Sequence, residues 1–254
     1  FILNQCTGNP GRMFHVEQMI KDWCDRHGIT LDSTSCARLI GHARLVYEAG
    51  RTFNLTGHRS AEDILADLSL GSLSPVAGLD VPRGTLVADM GTGGGFPGIP
   101  FAVLHGGARV VLFDSNGKKC DFLERAIASL GLDNVSVECQ RIEAAGRDPR
   151  FRTKFDMVIT RAMAHHYVSI ETGAPLLAGG GLLYLYSRDE MCSLDPGILE
   201  HAGSLGLSGV SPEERNMRGF SGEGLLFEKT GETPERYPRN YPVIRREAAR
   251  FGEE

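Results

Sequence analysis

The sequence predicts an α/β fold: a mostly parallel sheet with helices on both faces, preceded by an N-terminal helical cap. Three observations carry this. From residue 85 onward, short apolar runs alternate with stretches of helical spacing, the pattern of strand–crossover–strand units. A glycine-rich turn, Gly91 to Gly98, joins the first apolar run to the helical stretch after it. Two of the runs close on an acid, Asp89 and Asp114.

In chain order, Phe14, Val16, Met19, Ile20 and Trp23 follow helical spacing. A second helix is expected from Ser33 or Thr34, both good N-caps, to about Gly50. Its buried stripe is Cys36, Leu39, Ile40, Ala43, Val46 and Tyr47. A third covers Ala61 to Leu73, and Asp80 to Gly84 reads as a turn. Strands follow at Thr85–Asp89 and Arg109–Asp114, then a helix over Asn116–Leu130 closed by Gly131. Further strands are expected at Val135–Cys139, Phe155–Thr160, Leu182–Tyr186 and Gly224–Lys229, with an irregular basic tail from Thr233. The chain thus divides into an end, 1–12, read as tag, upstream readthrough or floppy terminus; a helical cap, 13–84; the α/β domain, 85–232; and a basic tail, 233–254, packing on that domain.

The chain of 254 residues carries 27 Lys plus Arg against 32 Asp plus Glu, a net charge of -5, which excludes a globally basic nucleic-acid binder. Any nucleic-acid site is a local patch. Six cysteines with no CxxC pair argue against a zinc site or disulfide framework and for a reducing cytoplasm; no metal is expected. The longest apolar stretch, Ala174 to Tyr186, is too short and glycine-rich to span a membrane, and no signal peptide is visible, so no membrane partner is expected.

The glycine turn is the most informative segment. Gly91, Gly93 and Gly95 let the backbone turn tightly and approach a ligand. A dinucleotide site wants G-x-G-x-x-G, but Phe96 stands at the last motif position. Asp89 would repel a pyrophosphate, whereas it can hold an ammonium. Asp114, 23 residues after Gly91, can accept hydrogen bonds from ribose hydroxyls or serve as a helix N-cap. One acid for an ammonium and one for a ribose suits S-adenosylmethionine better than NAD.

These residues resemble the GidB family of bacterial methyltransferases. The match runs through Asp89, Gly91, Thr92, Gly93, Gly95, Phe96, Pro97, Gly98, Ile99 and Pro100; Leu112 to Ser115 with Lys118, Lys119, Phe122 and Leu123; and Gln140 to Glu143. It also takes in Phe155 to Ala162, Asn54 to Thr56, and Thr233, Pro234, Tyr237, Pro238 and Arg239. The resemblance implies a Rossmann-like S-adenosylmethionine-dependent methyltransferase fold and methylation of a guanine N7 in 16S ribosomal RNA. It puts Gly91 and Phe96 against the cofactor, Asp114 on its ribose, and Ile142 with Glu143 at its adenine. Arg161 falls on the cofactor or substrate side. Glu143 alone also reads as a solvated turn acid, and Arg161 as a surface ion pair with Asp156 or Asp189.

Transfer to N7 needs no general base, so no catalytic group is assigned. Asn54 and Arg161 are candidates, Asn54 reading equally as a turn residue. RNA contacts are expected from Arg141, Lys118, Lys119, Arg236 and Arg239, within basic stretches that also read as a solubilising surface. His165 and His166 read as packing residues. The chain departs from the family pattern at two places. A family His-x-x-Asp-Ser-Leu stretch aligns with Leu68 to Leu73, without the His and Asp, and a Lys-Gly pair is replaced by Tyr186 and Ser187. The cofactor half is intact and the substrate half altered. The alternatives are therefore another substrate for the same cofactor, or a non-catalytic RNA-binding module with a vestigial pocket. The partner expected is 16S ribosomal RNA or the small-subunit particle.

Overall fold

The structure is a computed structural model describing residues 10–53, 55–189 and 191–252. Seven strands form one sheet: β1 (Leu86–Met90), β2 (Arg109–Asp114), β3 (Val135–Cys139), β4 (Phe155–Arg161), β5 (Leu177–Tyr186), β6 (Leu207–Gly209) and β7 (Leu225–Lys229). Their order is β3-β2-β1-β4-β5-β7-β6. The pairs among β1 to β5 are parallel, and β7 runs antiparallel to both β5 and β6. The chain reverses its direction along the sheet between β3 and β4, and in such folds ligands bind beyond the carboxyl ends at that switch point.

Before the sheet come α1 (Pro10–His27), α2 (Ser33–Gly50) and a composite helix: α3 (Ala61–Asp63), a π-helical segment (Ile64–Leu70) and α4 (Gly71–Leu73). After it begins come α5 (Gly98–Leu104), α6 (Gly117–Leu130), α7 (Ile142–Ala145), α8 (His166–Gly173), α9 (Pro196–Ser204), α10 (Pro212–Met217) and α11 (Tyr241–Ala248). One apolar core lies between the sheet and the first helices with α5 and α6. It holds Trp23, Leu39, Val46, Leu65, Phe101 and Leu123. A second fills the other face under α8, α9 and α11, with Phe155, Ile170, Ile198, Phe227 and Ile244. Trp23 Nε1 donates to Ser74 Oγ at 2.9 Å, tying α1 to the end of the composite helix.

Several details differ from the sequence reading. The cap of α2 is Asp32, whose side chain accepts from the Ser35 amide, not Ser33 or Thr34. On that helix Tyr47 is 37% exposed and His42 is buried instead. His42 takes the interior place because Nε2 has a partner there, the Gly94 carbonyl at 2.8 Å. The first helix begins at Pro10 rather than near Phe14. Strand β5 starts five residues earlier than Leu182, because a register shift between Phe155 and Met157 absorbs the glycine stretch. Residue 233 onward is not wholly irregular: α11 forms there, on a face so short that only Ile244 and Ala248 are buried.

Three arginines of the basic stretches, Arg239, Arg152 and Arg147, are engaged inside the fold. Arg239 Nη2 and Nε grip the fully buried carboxylate of Glu171, at 2.6 and 3.0 Å, and Nη1 reaches Glu247 at 2.8 Å. Arg152 donates to the carbonyls of Gly146, Thr233, Pro234 and Tyr237. Arg147 donates to the Pro238 carbonyl. These guanidiniums hold the C-terminal segment against the sheet, and Arg239 is not free for RNA. Burial pushes the Glu171 carboxyl up, but hydrogen bonds from His201 and Arg239 outweigh it and hold the group at about 2.

Arg239→Ala leaves the Glu171 charge without its main partner and is expected to lower the unfolding free energy by about 3–5 kcal/mol, read by urea denaturation. The Glu171 carboxyl lies below its unfolded value, so its stabilising contribution is complete above that value, near 4.3, and is lost as pH falls toward about 2. That acid-side loss is expected to shrink in the variant.

Candidate functional site

The glycine turn is held from both sides by the two strand-end acids. On one side, Asp89 Oδ2 accepts from Thr92 Oγ1 at 2.5 Å and from the Gly98 amide at 2.8 Å. On the other, Asp114 Oδ2 accepts from the Gly93 amide at 3.1 Å, while Oδ1 accepts from the Asn116 amide at 2.9 Å. The amides of Gly91 and Thr92 both donate to the Phe113 carbonyl. Gly91 needs its φ of +68°, and a Cβ there would lie 2.4 Å from Met163 Cγ, so only glycine lets the turn seat beneath the chain after β4. The N-cap of α6 is Asn116, which accepts from the amides of Lys118 and Lys119, so Asp114 is left to the turn and to the space beside it.

That space is a cavity of about 270 Å³ beyond the carboxyl ends of β1, β2 and β4. Gly91, Asp114, Ile142, Glu143, Met163 and Tyr241 line it. Asp114 and Glu143 are each 9% exposed, so two carboxylates sit at the wall of one concave site. Lys119 Nζ lies 3.9 Å from Asp114 Oδ2 and also lines the wall. Arg141 is a lining residue too, with its guanidinium 5.9 Å from the centre of the Tyr241 ring. The arrangement can bind an elongated polar ligand through the turn, two acceptors and a ring.

Five residues of the expected cofactor set do not line this cavity: Asp89, Gly93, Gly95, Phe96 and Arg161. Gly93 and Gly95 shape the turn but do not line the cavity. Phe96 is buried against the His42 ring, centroids 4.5 Å apart, where it supports the turn from beneath. Asp89 is fully buried and braces α5; its Oδ1 has no hydrogen-bond partner among the described residues, and it does not face the cavity. Lys118 and Arg236 are exposed, the latter over the Tyr237 ring at 5.0 Å. Asn54 lies outside the described residues. Sequence reasoning missed Met163 and Tyr241; the second sits in the tail and reaches the cavity only because α11 docks beside α8.

Arg161, at the end of β4, pairs with neither Asp156 nor Asp189. Its Nη1 donates to the Asp67 carbonyl at 3.0 Å and to Ser72 Oγ at 2.8 Å. Both belong to the composite helix, whose π-helical turn gives Arg161 a carbonyl to bind. Tyr186 Oη donates to the Ser72 carbonyl at 2.7 Å, so strands β4 and β5 hold the same turn. Ala162 follows with a φ of 52°, a left-handed conformation that costs a non-glycine residue about 1–2 kcal/mol.

Burial raises the Asp89 carboxyl from 3.8 to about 7, against the hydrogen bonds from Thr92 and Gly98. A carboxyl raised in the folded state makes stability fall as pH rises from its unfolded value to its folded one, here from about 4 to about 7. Asp89→Asn keeps an acceptor for Thr92 and Gly98 and is expected to remove that slope in urea midpoints measured across the range.

Comparison with known proteins agrees with this architecture. A family model described as GidB, rRNA small subunit methyltransferase G, matches residues 35–193. A ribosomal RNA small subunit methyltransferase G from Rubrobacter xylanophilus is 35% identical, with 95% of each chain covered. Proteins with the same description from Carboxydothermus hydrogenoformans and Desulfitobacterium hafniense are 32% and 33% identical, covering 88% and 89% of this chain and 96% and 94% of theirs. With the turn, the strand order and these matches together, the chain belongs to the GidB family of small-subunit ribosomal RNA methyltransferases.

Proposed function

We propose that this protein transfers a methyl group from S-adenosylmethionine to N7 of a guanine in 16S ribosomal RNA, acting in the cytoplasm on the RNA or on the small-subunit particle. Family membership supports the reaction class, and one structural observation carries the cofactor: a glycine turn clamped beside two nearly buried carboxylates at a single cavity. The donor set fits. Asp114 retains acceptor capacity for ribose hydroxyls, and Glu143 with Ile142 offers an acceptor and an apolar contact for adenine. Asp89 acts on the methionine end only through the turn it braces.

The cofactor, when bound, supplies a methyl group on a cationic sulfur. N7 of guanine carries a lone pair and no proton at neutral pH. It forms the new bond to the methyl carbon as the carbon–sulfur bond breaks, the electron pair returning to sulfur, and no proton moves. The protein's residues therefore position and exclude water rather than exchange protons. Well-oriented reactants are worth about 7–11 kcal/mol. The clamped turn serves that end, because the amides of Gly91, Thr92, Gly93 and Gly98 are held by Asp89, Asp114 and the Phe113 carbonyl. Of the cations expected at the RNA, Lys118, Arg141 and Arg236 are exposed, while Lys119 is shared with Asp114.

The test is calorimetric titration of S-adenosylmethionine, followed by tritiated-methyl transfer to small-subunit RNA and particles from cells lacking the modification. Binding, with label recovered as 7-methylguanosine, is expected; binding without transfer to either substrate overturns the RNA assignment. Asp114→Ala is expected to weaken cofactor binding by about tenfold or more, equivalent to about 1.4 kcal/mol. An unchanged affinity would remove Asp114 from the ribose.

A further inference from the structure

A second cavity, of about 670 Å³, lies beyond the ends of β4 and β5. This is within the roughly 300–1,000 Å³ of small-molecule sites. Gly71, Arg161, Ala162, Tyr186, Arg188 and Glu223 are among its lining residues. Ala162 lines the first cavity as well, so the two spaces meet at this residue, whose left-handed conformation turns the chain between them. Strain of this kind persists where the surrounding structure holds it, and it clusters at functional sites.

The walls carry complementary chemistry. Arg161 is anchored through Nη1 alone; its Nε and Nη2 make no hydrogen bond among the described residues. Glu223 is exposed on the segment leading into β7, so the cation and the carboxylate flank the end of β5 from either side. Arg188 is exposed in the chain just after β5. Gly71 leaves room at the wall. Its φ of -61° and ψ of -34° are ordinary right-handed helix, where glycine is disfavoured relative to other residues. A Cβ there would meet only Ala66 O at 3.5 Å and Arg161 Nη1 at 4.0 Å. Nothing in the backbone requires glycine at this position, and its effect is to keep the space beside Arg161 open.

We propose that this second cavity receives the methyl-accepting guanine, turned out of its stack, with Arg161 donating to O6, Glu223 accepting from N1–H and the N2 amine, and Arg188 meeting a flanking phosphate. The inference rests on the methyl-transfer reading above. Enzymes that act on a base lift it out of the stack and read its edges in a pocket. Guanine presents acceptors O6 and N7 on one edge and donors on N1 and N2 on another. A cation and a carboxylate match those edges. Adenine, with an amine in place of O6 and no N1 proton, matches neither. Arg161 and Glu223 thus determine specificity, while the first cavity holds the cofactor.

The test plugs the cavity without touching the cofactor wall. In Gly71→Leu, S-adenosylmethionine affinity by calorimetry is expected to stay at the wild-type value, while methyl transfer to unmodified small-subunit RNA or particles falls by about 100-fold. Glu223→Ala, an exposed position that leaves folding intact, is expected to lower transfer by about tenfold, also with unchanged cofactor affinity. If either variant transfers at the wild-type rate while binding cofactor, the guanine site is overturned and the methyl-transfer reading stands. Tighter RNA binding by Glu223→Ala at an unchanged rate overturns it too, and marks the cavity as an anion site. If the wild-type protein binds cofactor but methylates neither substrate, the reading itself fails and the proposal falls with it. Should Gly71→Leu lose cofactor binding, Glu223→Ala decides alone.

Discussion

The site depends on one constraint: two carboxylates at the ends of neighbouring parallel strands hold a single glycine turn between them. Asp89 takes the turn from the α5 side and Asp114 from the α6 side. The amides of Gly91, Thr92, Gly93 and Gly98 are bonded to these acids and to the Phe113 carbonyl, and those of Gly95 and Phe96 to the Thr92 carbonyl, so most of the turn's donors are satisfied within the fold. The cost falls on Asp89, fully buried, with one oxygen unpartnered among the described residues and its carboxyl raised to about 7. The strand register sets how far apart the two acids stand, since Asp89 lies level with Leu112 and Asp114 is two residues further along β2.

Charge is spent differently from what composition suggests. Arginines of the basic stretches look like a solvent- or RNA-facing surface, yet Arg239 neutralises Glu171, and Arg147 and Arg152 donate to orphan carbonyls of the tail. A guanidinium with five donors suits this work, because irregular chain carries carbonyls that no strand or helix satisfies. By fastening the tail they also set Tyr241 at the wall of the first cavity.

The side of the site away from the first cavity is built by a helix irregularity. The π-helical turn Ile64–Leu70 exposes the Asp67 and Leu68 carbonyls to Arg161, and Ser72 completes the anchor. Here Leu68 and Gly71 bring no polar side chain beside the anchor. The result is space rather than a polar group, and the open cavity beside Arg161 follows from it.

Elements set by local pattern could be read from the sequence alone. The alternation of apolar runs and helical stretches, the acid-ended strands, the glycine turn between strand and helix, and the αL closure at Gly131 each depend on neighbours within a few residues. Gly91 and Asp114 could also be read there, because parallel strands deliver their ends to one edge, whereas Ile142 and Glu143 are placed only by the family resemblance. The tertiary structure alone decided what depends on partners far along the chain. Asp89 and Phe96 brace the turn from within because α5 and His42 pack over them. Arg239 is internal because Glu171, 68 residues away, needs a counter-charge. Tyr241 joins the site because α11 docks beside α8, and Arg161 faces the composite helix because a π-helical turn offers it carbonyls. A charged or aromatic side chain reads the same in sequence whether solvent or a buried partner satisfies it; only the three-dimensional neighbours choose between the two.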